Sequence, residues 1–262
     1  MRIFLLLGCA AALAGSAASA QNAPPEVAAA AAAAAAAEDP VDPLAVEALV
    51  RMSAFLTSLE TFRITSTSTI DVVTLEDQKV QLDAVTHYQV KRPGIVIDLV
   101  SDHKSRQYYY DGTQFTVFAP QLGYYATVPA PPTNREFLST LHARTGIQLP
   151  LEDLFRWADE DRSDIAKLIS AFNVGTATID GVATDHWAFR SADFDWEIWI
   201  EQGDRPVPRK YVLIDRTDPA LPAFTARLTW EINPTLDAAA FTFVPKADSI
   251  AIQLAIPEEV TQ

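Results

Sequence analysis

Between Phe62 and Val128 six runs rich in β-branched and aromatic residues follow one another with only short breaks, and those breaks limit what the chain can fold into. Arg92-Pro93-Gly94, Asp102-His103-Lys104, Asp111-Gly112 and Pro120-Gln121-Leu122-Gly123 all carry turn chemistry. A parallel return between neighbouring strands needs a crossover of about a dozen residues or more. The runs Phe62–Val73, Val80–Val90, Ile95–Val100, Arg106–Tyr110, Gln114–Ala119 and Tyr124–Val128 must therefore pair antiparallel, as a meander. In the first of them Phe62, Ile64 and Ile70 share one face, and Thr65, Thr67 and Thr69 the other.

A second block of strands shows the cleanest alternation in the chain. Phe194, Trp196, Ile198 and Ile200 fall on one side of a two-residue period, with Asp193, Asp195, Glu197 and Glu201 on the other and Trp199 as the one breach. Gln202 to Pro206 supply a turn and Tyr211–Ile214 returns, which makes a hairpin. Gly175–Asp180, Val182–Arg190 and Ala223–Ile232 extend the block, with a weak strand expected at Phe241–Val244.

Helical periods frame these strands. Asp42-Pro43 opens a helix with an N-cap and a first-turn proline, and Leu44, Leu49, Met52, Phe55, Leu56 and Leu59 form its apolar stripe. Arg135–Arg144, Leu151–Ala158 and Ser163–Phe172 read as three further helices between the two strand blocks. The expected fold class is α+β, a strongly curved antiparallel sheet of roughly ten strands, with an N-terminal helix and a central helical insertion capping its concave face.

The first forty residues set the address. Arg2, the apolar stretch Ile3–Ala14 and Ala18-Ser19-Ala20 have the form of a cleaved secretory signal over residues 1–20, and the apolar stretch is shorter than the ~20 residues that span a bilayer. Leu6-Leu7-Gly8-Cys9 offers a lipoprotein box as the alternative, with Cys9 acylated at the outer membrane, but cleavage there would leave a leader with almost no apolar core. Residues 21–41 read as an Ala/Pro-rich linker, in which Ala28–Ala37 has no apolar face to dock and serves as a spacer or, alternatively, as a partner-binding helix. Residues 42–262 read as a single domain, and a monomer is expected. After the leader no apolar run is long enough to span a membrane. A formal net charge of −14 excludes nucleic acid and anionic membrane surfaces as partners of a basic patch.

Catalytic signatures are lacking: there is no GxSxG, HExxH, Walker loop, GxGxxG or cysteine pair. Asp102-His103 and Asp185-His186 are sequence neighbours whose side chains leave a strand on opposite faces, so they read as solvated surface pairs. His87 and His142 lack a partner pattern, and no metal site or other cofactor is expected. The acidic run Asp159 to Asp164 lacks the central glycine and terminal glutamate of a calcium loop and reads as helix capping.

The aromatic residues carry more. Tyr108, Tyr110, Phe115, Trp187, Phe189, Trp196, Phe224 and Trp230, with Ile198 and Leu228, take alternating positions on separate strands and converge if those strands curve together. Two readings follow: an ordinary filled core, or an apolar cavity of a few hundred Å³ for a hydrophobic ligand. No convergent charged group is evident to orient a polar head, so an acyl chain suits such a cavity better than a polar metabolite.

The stretch Tyr109-Tyr110-Asp111-Gly112-Thr113-Gln114-Phe115-Thr116-Val117-Phe118-Ala119-Pro120-Gln121-Leu122-Gly123-Tyr124 resembles the strand-turn-strand element of the LolA/LolB-like superfamily of periplasmic lipoprotein-handling proteins. The helix Leu44–Leu59 running straight into the strand at Phe62 agrees with it. So does Trp196-Glu197-Ile198-Trp199-Ile200 followed by Pro206, Pro208 and Arg209-Lys210-Tyr211. Order and spacing over Asp42–Val244 are most similar to a family of predicted periplasmic proteins of unassigned function within that superfamily. The resemblance implies an unclosed β-barrel whose hollow, in the carriers, accepts the acyl chains of lipoproteins. It implies a periplasmic carrier of a lipid or an acylated protein, with no covalent chemistry. The superfamily also holds sensor domains, so a cell-envelope interaction module with a filled core is the alternative, and an enzyme is a more remote one.

Overall fold

The computed structural model describes residues 40–145, 147, 149 and 165–254. Helix α1 (Pro43–Ser58) is followed by β1 (Thr61–Val73), β2 (Lys79–Lys91), β3 (Gly94–Ser101), β4 (Ser105–Tyr110), β5 (Gln114–Ala119) and β6 (Tyr124–Pro129). After helix α2 (Asn134–Thr145) come β7 (Ser170–Ile179), β8 (Val182–Arg190), β9 (Phe194–Glu201), β10 (Pro208–Asp215), β11 (Ala223–Ile232) and the two-residue β12 (Ile250–Ala251). All twelve strands belong to one sheet in the order β12-β6-β5-β4-β3-β2-β1-β11-β10-β9-β8-β7. The two outermost strands do not pair with each other, so the sheet is open. Its pairs are antiparallel except β12 on β6.

The long β1–β2 hairpin is the middle of the sheet because β11 comes back to pair along β1 from Phe62↔Ile232 to Ile70↔Phe224. That long-range pairing joins the two meanders, which otherwise follow sequence order. With a twist of about −20 to −25° per strand accumulating across such a sheet, it curves, and its concave face must be covered. Helix α1 covers part of it. The Asp42 carboxylate caps the helix by accepting from the Leu44 N–H at 2.9 Å, and Leu49, Met52 and Leu56 are fully buried. Leu44, part of the expected stripe, is 62% exposed, because the buried face runs through Ala45, Ala48, Leu49, Met52, Ser53 and Leu56 and Leu44 lies to one side of it. The α1 C-terminus is held by the Arg92 guanidinium, which donates to the Leu59 and Leu56 carbonyls.

Helix α2 starts with a reciprocal cap: the Thr133 hydroxyl accepts from the Glu136 N–H and donates to the Glu136 carboxylate. Its Phe137 lies stacked on Tyr110 at 4.0 Å and against Phe115 at 5.2 Å. The expected helix Leu151–Ala158 and the acidic run Asp159–Asp164 lie outside the described residues.

Two expectations are corrected. The helix expected over Ser163–Phe172 is, within the described residues, only a 3-10 turn at Ile165–Lys167, and β7 begins at Ser170. Pairing decides this: Ala171 opposes Phe189 on one side, while its N–H and C=O are taken by Pro40 and Asp42 on the other, leaving no group for a helical bond. The strand expected at Phe241–Val244 is replaced by a 3-10 turn over Ala238–Phe241, capped by Asp237. The alternation there serves docking instead of pairing. Phe243 packs 5.1–5.3 Å from Tyr109, Phe118 and Tyr125. Phe241 lies on Gly94, where a Cβ would sit 2.7 Å from its ring.

Candidate ligand-binding face

The strand registers set out the concave face as rows of paired side chains. One row runs Val117, Tyr108, Ile97, Tyr88, Ile64 and Trp230, across β5, β4, β3, β2, β1 and β11. The next runs Arg106, Leu99, Thr86, Ser66 and Leu228, and the one after it Ser101, Ala84, Ser68, Ala226, Tyr211, Ile198 and Trp187. The middle of the sheet thus carries small residues, Ser66, Ser68, Ala84 and Ala226, flanked on both sides by rings. Ser66 and Ala226 are nonetheless fully covered, so the small residues there are packed over.

The ten residues singled out from sequence all meet on this face. Tyr110, Phe115, Trp187, Phe189, Trp196, Ile198 and Leu228 belong to one buried cluster, and Tyr108, Phe224 and Trp230 are partly buried against it. Phe189 and Trp196 stack at 4.0 Å, and the Trp230 indole donates to the Pro208 carbonyl at 2.7 Å. The Tyr110 hydroxyl donates to the Pro131 carbonyl at 2.6 Å, and burial pushes its phenol up to about 12. Burial also raises the Tyr88 and Tyr108 phenols. All three stay neutral hydrogen-bonding groups at neutral pH.

Sequence reasoning missed what lies beyond those rings. Leu213, Phe224, Ile70 and Leu82 pair directly across β10, β11, β1 and β2, and Val72 pairs with Val80 one step further out. These are concave-face positions, yet Ile70 is 46% exposed, Val72 38% and Val80 37%. The apolar wall therefore continues past its helical cover as an open band. The signal was present, since Ile70 shares a face with Phe62 and Ile64, but alternation does not tell which end of a long strand is covered. Arg106 is also on this face, two residues from Tyr108 on β4.

The opposite, outer face is polar around β1, β2 and β11, and carries apolar rings where Phe241 and Phe243 dock. A cleft of ≈ 560 Å³ is lined mainly by outer-face Thr67, Thr69, Asp83, Val85 and Arg227, touches Ser68, Ala84 and Ser101 of the third row, and includes none of the ten aromatic-face residues. Expected as a solvated pair, His186 is instead enclosed on this face. Its ring stacks on Trp199 at 3.9 Å, its Nε2 lies 2.6 Å from the Glu197 carboxylate, and its side chain is 16% exposed. Asp185 does point away from it, bonded to Gln202. Among the described residues no His, Cys, Asp and Glu group forms a metal-binding cluster. No described helix is long and apolar enough to cross a membrane.

Compared with known proteins, residues 45–255 match the model of a family described as predicted periplasmic protein (DUF2092). No curated protein matches. Solved structures that are similar include an uncharacterized conserved protein from Thermus thermophilus, 11% identical with a TM-score of 0.48 over 79% of this chain and 97% of that one. LprF from Mycobacterium bovis is 13% identical, with a TM-score of 0.43 over 75% and 97% of the two chains. The Mycobacterium tuberculosis lipoprotein LppX is 13% identical, with a TM-score of 0.37 over 74% and 98%.

Proposed function

The chain belongs to the DUF2092 family of predicted periplasmic proteins, and on that premise we propose that it binds a hydrophobic ligand, a lipid or the acyl chain of a lipoprotein, on the concave face of its sheet without covalent chemistry. One observation carries this reading: an apolar band on the inner side of the curve, in which half-buried Leu213, Phe224 and Leu82 continue the buried aromatic cluster and Ile70, Val72 and Val80 are exposed. A folded chain gains nothing from leaving a concave apolar wall wet. Each Å² of it covered by hydrocarbon is worth about 25 cal/mol.

The seven nearly solvent-free members of the aromatic set then form the floor and back of the site. The surface offered to a ligand is Tyr108, Phe224, Trp230 and the band. Their lining is hydrocarbon and ring, which suits an extended alkyl chain. Mass spectrometry of protein purified without detergent tests the proposal, together with titration by a fluorescent fatty acid. Lipid is expected to co-purify, and the fatty acid to bind in the micromolar range or tighter. Lipid-free protein that also ignores the fatty acid would leave only the filled-core interaction module.

A further inference from the structure

Five arginines lie on described strands, and four are neutralised by a carboxylate. Arg63 pairs with Glu231 at 2.9 Å, Arg190 with Asp195 at 2.6 Å, Arg227 with Asp180 at 3.3 Å, and Arg209 with Glu201. Arg106 is the exception. Its guanidinium donates to its neighbour's carbonyl, that of Ser105, at 2.8 Å, and it has no carboxylate partner among the described residues. In a chain with 34 acidic residues against 20 basic ones, a partly buried cation left without an acid is not what chance surface pairing would give.

Its position gives that charge a direction. Arg106 opposes Leu99, which opposes Thr86, which opposes Ser66, and that residue opposes Leu228 of the buried cluster. The register is unbroken along β4, so Arg106 leaves the strand on the same side as Tyr108 and Tyr110. It is close enough to Tyr108 for its charge to act on that phenol. The stacked Tyr110 lies four positions further on, about 13 Å along the strand. Two rows further out begins the open apolar band at Leu82 and Ile70.

We infer that Arg106 is the head-group receptor of the concave face, and that the ligand is an amphiphile with a hydrocarbon tail and an anionic carboxylate or phosphate head. A guanidinium presents a planar fork that takes either anion with two parallel hydrogen bonds, and partial burial strengthens them relative to water. The tail would lie on the band and the rings of Tyr108 and Trp230. This inference rests on the ligand reading proposed above.

The test displaces a neutral dye, Nile red, from the intact protein with palmitate, monohexadecyl phosphate and hexadecanol, which share one tail. Wild type is expected to bind at least one anionic amphiphile about tenfold or more tightly than the alcohol. Arg106→Gln should lose that preference while holding hexadecanol within about twofold, which also shows that the variant is folded, and Arg106→Lys should retain part of it. Which anion wins separates a fatty acid from a phosphate-headed lipid. Equal binding of all three by wild type, or a preference that survives Arg106→Gln, overturns the inference and leaves the ligand reading standing. Binding of none of the three overturns the ligand reading itself. Should Arg106→Gln fail to fold, the wild-type preference and its persistence in Arg106→Lys still decide the matter.

Discussion

Trp199 breaks the alternation of β9, and the outer face supplies the reason. It is 7% exposed although it points away from the core, because His186 stacks on one side of it and the Lys210 ammonium sits 4.1 Å from its ring centroid. A carboxylate only accepts, so the His186 Nε2 carries the hydrogen given to Glu197. That bond is the main force holding the Glu197 carboxyl below the ordinary glutamate range, against burial that pushes it up. A carboxylate depressed in the folded state contributes stability in full above its unfolded value, about 4.3, and loses it as the pH falls through the lower folded value. Glu197→Gln should therefore melt below wild type at pH 7, and the gap should narrow as the pH drops from about 5 toward 3. Thermal melts of both proteins across that range check it, and a gap independent of pH would refute the assignment. Sequence made the strand and its wet face plain. It did not reveal that a histidine of the preceding strand would be opposite Trp199, since that depends on the β8–β9 register, His186↔Trp199.

At the scale of elements, what was legible is what local chemistry dictates. The Asp42-Pro43 start, the α1 stripe apart from exposed Leu44, and the turns of the meander appear where residue spacing puts them, within a residue or two. The start of β7 and the C-terminal segment were not legible, because their conformations answer to partners far away in the chain: β8 and Pro40–Asp42 for one, the outer-face rings for the other. Helix α1 shows the energetic side. Leu56 is fully buried, and Leu56→Ala should cost about 2–5 kcal/mol through lost contact and an unfilled cavity. For a domain of this size each kcal/mol lowers the melting temperature by about 2–4 °C. Leu44→Ala, at a position mostly in water, should move it by less than about 2 °C. Calorimetry of the two variants checks the pair, and a similar loss in both would mean that α1 is not seated on the sheet through its Leu49-Met52-Leu56 stripe.

For the whole molecule, the open curved sheet gives two faces with different chemistry from one alternating code. The inner one is apolar and extends past its cover, and the outer one is hydroxyl-rich and laced with ion pairs. Ile70 on the inner face and Val100 on the outer are matched probes of that division, at 46% and 50% exposure. Because neither is buried, an aspartate at either position should change stability by no more than about 1 kcal/mol. Their effects on ligand should differ. Ile70→Asp places a charge where the proposed alkyl chain lies, and covering an ionised carboxylate with hydrocarbon is strongly unfavourable. Val100→Asp places the same charge on the far side of the sheet. A fluorescent fatty acid should bind Ile70→Asp about tenfold or more weakly than wild type and Val100→Asp within about twofold. A ligand that responded equally to both substitutions would be sensing net charge alone, and one that responded only at Val100 would belong to the outer cleft, so either result would remove the concave face from consideration.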